Sequence, residues 1–190
     1  MIKKFIPNFY YNSIYDIPVE EWKEKGIRLI LTDLDNTLIS YKENMPTSKL
    51  FEFKDKIINS GIELIIVSNS RKERVENFSK ELGVPFVKFS TKPFKRGINK
   101  AIYKVAHGCY SKNQVVLLGD QIITDILGGN RCQINTCFIK AIDKTTDKLP
   151  TKINRFFEKK AILLVKKKYE EEYNLKLKKY FEETYDNKKM

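Results

Sequence analysis

From Ile27 to Ile139 the chain alternates short apolar runs with longer stretches whose apolar positions recur at helical spacing. The first run, Ile27 to Leu31, is mainly β-branched and aliphatic and reads as a strand buried on both faces. Ile62 to Val67, Val84 to Phe89, Gln114 to Leu118 and Thr136 to Ile139 read as four more strands. Between them, Thr47 or Ser48 caps a helix that runs to about Asn59, with Phe51, Phe53, Ile57 and Ile58 apolar and Gly61 as its stop. A second helix runs from about Arg71 to Leu82 and closes at Gly83. A third, Gly97 to Ala106, ends at His107-Gly108, and a short fourth ends at Gly128-Gly129. Repeated strand–helix units of this length predict an α/β fold, a doubly wound parallel sheet with helices on both faces. No internal repeat or low-complexity linker divides it.

The flanks differ from this domain, which spans 26–150. Residues 1–25 form an N-terminal arm crowded with Phe5, Phe9, Tyr10, Tyr11 and Tyr15, in which Pro7 and Pro18 limit regular structure. Two readings stay open for these aromatics: docking on the core, or an interfacial belt at a membrane. In the extension 151–190, Ile162, Val165, Tyr169, Tyr173, Leu177 and Tyr180 recur at spacings of three and four, as one stripe of a long helix. Its polar face mixes Lys166, Lys167 and Lys168 with Glu170, Glu171 and Glu172. Mixed sign favours packing on the domain or a partner over an interfacial membrane helix.

The chemistry lies at the strand ends. Strand one ends in Asp33 and Asp35, strand two in Ser68-Asn69, strand three leads to Lys92, and strand four ends in Asp120 with Asp125 following. Parallel strands share a direction, so all four ends lie on one rim, where ligands of open α/β sheets bind. A carboxylate closing a buried strand is expensive to desolvate unless it binds a cation or does chemistry. The alternative for Asp33 and Asp35 is a loop in which they cap backbone amides. Four carboxylates repel one another and ask for a divalent cation; with oxygen ligands only, Mg²⁺ is the natural choice. A cation, the Lys92 ammonium and the Ser68 hydroxyl together suit a phosphoryl group.

Composition sharpens this. The 190 residues allow one domain with a sizeable core, and 42% hydrophobic content with 12% aromatics excludes a disordered chain. A net charge of +12 suggests an anionic partner: nucleic acid, an anionic membrane or a phosphorylated substrate. From Leu82 through Gly119 there is no acidic residue, and Lys88, Lys95, Arg96, Lys100, Lys104 and Lys112 flank Lys92. This block is either a solvated helix face or positive potential beside the site mouth, suited to peripheral docking on an anionic bilayer. No aromatic-rich RNA signature accompanies it, which speaks against nucleic acid. Cys109, Cys132 and Cys137 form no CxxC pair and are odd in number, against a disulfide framework or zinc site and for a reducing compartment. No run approaches the roughly 18 to 20 apolar residues that cross a bilayer, and the N-terminus lacks the apolar core of a signal peptide. A cytoplasmic location is expected, with peripheral contact at the inner face of the membrane as an option.

In order along the chain, Asp33-Leu34-Asp35-Asn36-Thr37, Ser68, Lys92, and Gly119-Asp120 through Asp125 resemble the four motifs of the haloacid dehalogenase (HAD) superfamily of aspartyl phosphotransferases. The resemblance covers roughly residues 27 to 140 and implies a Rossmann-like HAD fold. It implies that Asp33 attacks phosphorus, that Asp35 protonates the leaving oxygen and later deprotonates water, and that Ser68, Asn69 and Lys92 bind the phosphate. Mg²⁺ would be held by Asp33, Asp120 and the Asp35 backbone carbonyl, with Asp125 supporting the metal or its waters. The intervals between Thr37 and Ser68 and between Ser68 and Lys92 are too short for an inserted lid, so a capless, open site is expected. Such a site suits a phosphate on a large or surface-bound substrate. More closely, Thr32 to Leu38, Val67 to Ser70, Lys92-Pro93 and Gly119 to Asn130 resemble the YqeG-type branch of capless HAD phosphatases (subclass III, IIIA-type). That branch is similar to phosphatidylglycerophosphate phosphatases, which implies dephosphorylation of phosphatidylglycerophosphate to phosphatidylglycerol, with an anionic phospholipid head group as partner. Two alternatives stay open: the same chemistry on a nucleotide or sugar phosphate, and a basic RNA-, ribosome- or membrane-binding module with incidental hydrolysis.

Overall fold

Six parallel strands, one more than expected, form a single sheet in the computed structural model, which describes residues 2–186. They are β1 (Phe9–Tyr11), β2 (Leu29–Thr32), β3 (Glu63–Val67), β4 (Phe86–Val87), β5 (Val115–Gly119) and β6 (Asn135–Ile139), in the order β1-β6-β5-β2-β3-β4. The aliphatic run of β2 is wholly buried because it sits in the middle: Leu29 faces Val115 on one side and Glu63 on the other, and Thr32 faces Leu118 and Ile66. After β2 the chain builds β3 and β4 on one flank, then returns to place β5 on the other. The boundary between β2 and β5 is therefore the topological switch point where such sheets bind ligands.

Helices cover both faces, as patterned. On one face α1 (Val19–Glu24), α2 (Ser48–Asn59) and α3 (Glu73–Leu82) bury Trp22, Leu50, Phe53, Ile57, Phe78 and Leu82 against β2, β3 and β5. The Thr47 hydroxyl accepts the Leu50 N–H at 3.3 Å to start α2, and Gly83, at φ +73°, ends α3 in the left-handed conformation. On the other face lie α4 (Lys95–Lys100), which loosens into a π-helical turn over Ala101–Val105, and α5 (Leu127–Cys132). Beyond residue 148 come α6 (Leu149–Lys168), α7 (Glu170–Lys176) and α8 (Lys178–Phe181).

Three departures have local causes. In the N-terminal arm, Phe9–Tyr11 extends the sheet by pairing with Cys137–Ile139; the Phe9 ring lies 5.2 Å from Trp22 and Tyr10 5.9 Å from Phe138. These aromatics dock on the core and form no exposed belt. β4 pairs over two residues rather than six, because Phe89 (φ +52°) and Thr91 (φ +58°) turn the chain out of the sheet. The single long helix expected at the C-terminus is bent at Tyr169 (φ −143°) and again at Leu177 (φ −127°). Its apolar stripe still packs on the domain, where Ile162, Val165, Tyr173 and Tyr180 meet Ile122, Ile126 and Phe138. The β2–β3 and β3–β4 connections each carry one helix and no inserted domain, as a capless α/β domain requires.

Candidate active site

Asp33 emerges one residue past the end of β2, its N–H donating to Leu118 O at 2.9 Å, so the carboxylate stands between the ends of β3 and β5. The chain then turns sharply. Asn36 adopts φ +62°, a left-handed conformation that Asn tolerates better than most residues. Its Nδ2 donates to Asp147 Oδ1 at 2.8 Å, tying the turn to the segment before α6. Asp33 and Asp35 are each only 7% exposed.

Lys92 reaches the same point from the β4 side. Its Nζ donates to Asp33 Oδ1 at 2.7 Å and Val67 O at 2.6 Å. It also pairs with the buried Asp125 Oδ1 at 2.8 Å. The loop that delivers Lys92 is strained, since Thr91 is β-branched and left-handed, a conformation that costs on the order of 1–3 kcal/mol. Asn69 holds it in place: its Oδ1 accepts from Lys92 N at 2.7 Å and Ser90 Oγ at 2.8 Å, and its Nδ2 donates to Lys92 O at 2.9 Å. Ser68 is buried, its oxygen accepting the Ser70 N–H at 3.1 Å while its own proton remains to be donated. Gly119 precedes Asp120 for a steric reason: a Cβ there would overlap the Asp125 carboxyl. Asp125 Oδ2 in turn accepts the Gln121 N–H at 3.1 Å.

Two arginines complete the cluster. Arg74 on α3 pairs with Asp35 and donates to Ser40 O and Glu43 O at 3.1 and 2.6 Å. Arg155 on α6 pairs with the Asp120 carboxylate and donates to the Asp120 carbonyl. It also lies 3.2 Å from Asp147 Oδ2 and 3.4 Å from Glu158 Oε2. Burial pushes the Asp33 carboxyl well above the usual range; Lys92 opposes this, and Asp125, Asp120 and Asp35 add to it. Burial likewise lifts Asp120 to about 6, opposed by Arg155 and reinforced by Asp125. Burial disfavours the Lys92 ammonium, but Asp125 and Asp33 outweigh it and hold the group charged.

Does this cluster fit Mg²⁺? Among the described residues no three acidic side chains converge on one position, so a cage of side chains alone is not formed. Acids nonetheless outnumber bases: Asp33, Asp35, Asp120, Asp125, Asp147 and Glu158 face Lys92, Arg74, Arg155, Lys144 and Lys148. The donors are all oxygen, and the buried Asp33 and Asp125 carboxylates share one ammonium, Lys92. That donor set fits a hard divalent cation completed by a backbone carbonyl and water.

The rim thus brings Asp33, Asp35, Ser68, Asn69 and Lys92, distant in sequence, to one cleft, with Asp120 and Asp125 buried beside it against Arg155 and Lys92. Two expectations change in detail. Asn69 was expected on the phosphate, but its amide is engaged with Lys92 and Ser90. Of the basic block only Lys92 lines the cleft; Lys88 pairs with Glu76 at 2.9 Å, and Lys112 precedes the amino end of β5, the opposite end of that strand from Asp120. Arg74, Arg155, Asp147 and Glu158 were not anticipated. One faint signal existed, since the chain has six arginines against thirty lysines. Arginine is the residue suited to forked contacts with buried carboxylates.

A family profile described as mitochondrial PGP phosphatase matches residues 2–143. The Bacillus subtilis (strain 168) protein named "Probable phosphatase YqeG" is 35% identical over 169 residues, covering 88% of this chain and 96% of that protein. Among solved structures, an uncharacterized protein from Listeria monocytogenes serotype 4b superposes with a TM-score of 0.49 at 16% identity, over 74% of this chain and 99% of that one. The Bacillus subtilis HAD-hydrolase YfnB gives 0.44 at 14% identity, over 60% and 87%. Each structural overlap takes in only part of this chain.

Proposed function

The chain belongs to the mitochondrial PGP phosphatase family and is a capless HAD phosphatase, and from that premise we propose that it removes the terminal phosphate of phosphatidylglycerophosphate through an aspartyl-phosphate on Asp33. The observation that carries this reading is Lys92 Nζ held between Asp33 and Asp125 where β2, β4 and β5 end. An ammonium fixed against a strand-end carboxylate is placed to draw a phosphate dianion onto that carboxylate.

The chemistry follows from the residues. An Asp33 oxygen attacks phosphorus, the bond from phosphorus to the glycerol oxygen breaks, and Asp35 gives that oxygen its proton. Asp35, anchored by Arg74, then takes a proton from water, whose oxygen attacks the same phosphorus. The Asp33–phosphorus bond breaks, and inorganic phosphate leaves. Lys92 and the Ser68 hydroxyl balance charge on the phosphoryl oxygens throughout. Mg²⁺ would be held by the Asp33 and Asp120 carboxylates and the Asp35 carbonyl, and would supply the remaining positive charge.

The cleft supports a lipid head group. The cleft, of about 250 Å³, has no inserted domain over it, which suits a phosphate carried on a larger, surface-bound substrate. Lys148 at its edge offers a second positive charge, suited to the phosphodiester that lies beside the terminal phosphate in this lipid. The test is a substrate panel with Mg²⁺: vesicles carrying phosphatidylglycerophosphate against nucleotide and sugar phosphates. The lipid should be hydrolysed far faster, and Asp33→Asn should lose at least ~10³-fold. Preference for a soluble phosphate would overturn the lipid, and an active Asp33→Asn would overturn the nucleophile.

A further inference from the structure

α6 has two faces, and only one is explained by the fold. The inner face buries Thr151, Glu158, Ala161, Ile162 and Val165. On the opposite face Leu149, Ile153, Phe156, Phe157, Leu163 and Leu164 are exposed, with Leu149 at 72% and Phe156 at 59%. At 3.6 residues per turn these six fall within about a third of the helix circumference. A protein surface seldom leaves such a contiguous large-apolar stripe to water.

Charge along the helix is equally one-sided. Lys152, Lys159 and Lys166, seven residues apart, form a row beside the stripe, and all three are exposed. Lys160 stands within the stripe, its Nζ 4.4 Å from the Phe156 ring centroid. The only acidic residue between Lys148 and Lys168 is Glu158, and it is buried. The glutamates that suggested a mixed polar face lie beyond the bend at Tyr169, on another helix.

We propose that the outer face of α6 docks this phosphatase on an anionic lipid bilayer, with the apolar stripe in the acyl–headgroup boundary and the lysine row against lipid phosphates. Hydrocarbon satisfies the stripe, and anionic headgroups satisfy the row. A second copy of the chain would satisfy the first but bring lysines against lysines. The location suits the task as well. Lys148, Pro150, Thr151 and Asn154, in and before the first turns of α6, wall the cleft that holds Asp33. The helix that meets the bilayer therefore also walls the cleft that holds Asp33. The biological meaning of the docking rests on the lipid-substrate reading above, but the surface itself does not.

The experiment is co-sedimentation of the full chain with vesicles of phosphatidylcholine alone or with about a third phosphatidylglycerol. The parent should bind the anionic vesicles, weakly the neutral ones, and less as salt rises. The double variant Phe156→Ser/Phe157→Ser and the triple variant Lys152→Glu/Lys159→Glu/Lys166→Glu should each bind at least ~10-fold more weakly. Both should keep the parent's helical circular dichroism and its hydrolysis of soluble p-nitrophenyl phosphate. Equal vesicle binding by parent and variants would overturn the proposal. So would a parent that ignores vesicles but sediments as a dimer that the phenylalanine variant dissociates. Because these vesicles hold no phosphatidylglycerophosphate, failure of the lipid-substrate reading leaves the binding curves unchanged. Failure of the docking leaves hydrolysis of that lipid in detergent micelles unchanged.

Discussion

Replacing Arg155 with alanine should cost more stability than any exposed ion pair in the molecule. Its guanidinium faces Asp120, Asp147 and Glu158, whose side chains are 0%, 3% and 1% exposed. Removing it takes the guanidinium charge from three buried carboxylates and leaves them hydrogen bonds from neutral donors such as Asn36, Ile122, Tyr180 and Thr37. Taking one partner from a buried ion pair costs roughly 3–5 kcal/mol, whereas an exposed pair contributes at most about 1 kcal/mol. For a chain of this length each kcal/mol moves the melting temperature by about 2–4 °C, so a fall of roughly 6–20 °C is expected. Scanning calorimetry with EDTA measures it, and Arg155→Lys should fall between, keeping the charge but losing the fork. Saturating Mg²⁺ should narrow the gap between parent and Arg155→Ala, because a bound cation replaces part of the missing charge. An Arg155→Ala melt within about 2 °C of the parent would refute the reasoning, since that is the scale of a surface pair.

Further expectations concern the same rim. Gly119→Ala forces a methyl into the Asp125 carboxyl and should lower kcat at least ~10-fold while the protein still folds; unchanged steady-state kinetics would show that Asp125 relocates freely. Burial lifts Asp120 from 3.8 to about 6 in the metal-free fold, so the folded state binds that proton more tightly than the unfolded chain. Its contribution to stability is therefore present below about pH 4 and is lost as pH rises through about 6. Urea unfolding with EDTA across that window, parent against Asp120→Asn, should show the asparagine variant losing less; identical pH slopes would contradict it.

The parts of the fold that were legible in the sequence are those where one local signal dominates. Leu29 to Leu31 and Val115 to Leu118 are uninterrupted aliphatics because both faces of a central strand are buried, and Thr47 and Gly83 mark helix ends by their own chemistry. β1 escaped because three aromatic residues behind Pro7 carry no periodicity, and their strand character comes only from pairing with β6. The short β4 escaped because the positive φ values at Phe89 and Thr91 are imposed by the loop that holds Lys92, against the preference of both residues. At the site, the acids and Lys92 were legible because each directly follows or leads from a strand end. Arg155 was not, because it meets Asp120 across 35 positions from a helix whose apolar stripe signalled only packing. The two faces of α6 were equally hidden: Phe156 and Leu163 look no different in sequence from the buried Ile162 and Val165.

The central claim is that phosphate passes through Asp33. Turnover of p-nitrophenyl phosphate by Asp35→Asn, whose leaving group needs little help from an acid, should slow at the second step and let the phosphorylated protein accumulate. Acid quenching, proteolysis and mass spectrometry should then find one hydroxylamine-sensitive phosphate on the peptide that carries Asp33. Phosphate on another residue, or none while a burst of p-nitrophenol is released, would contradict the account.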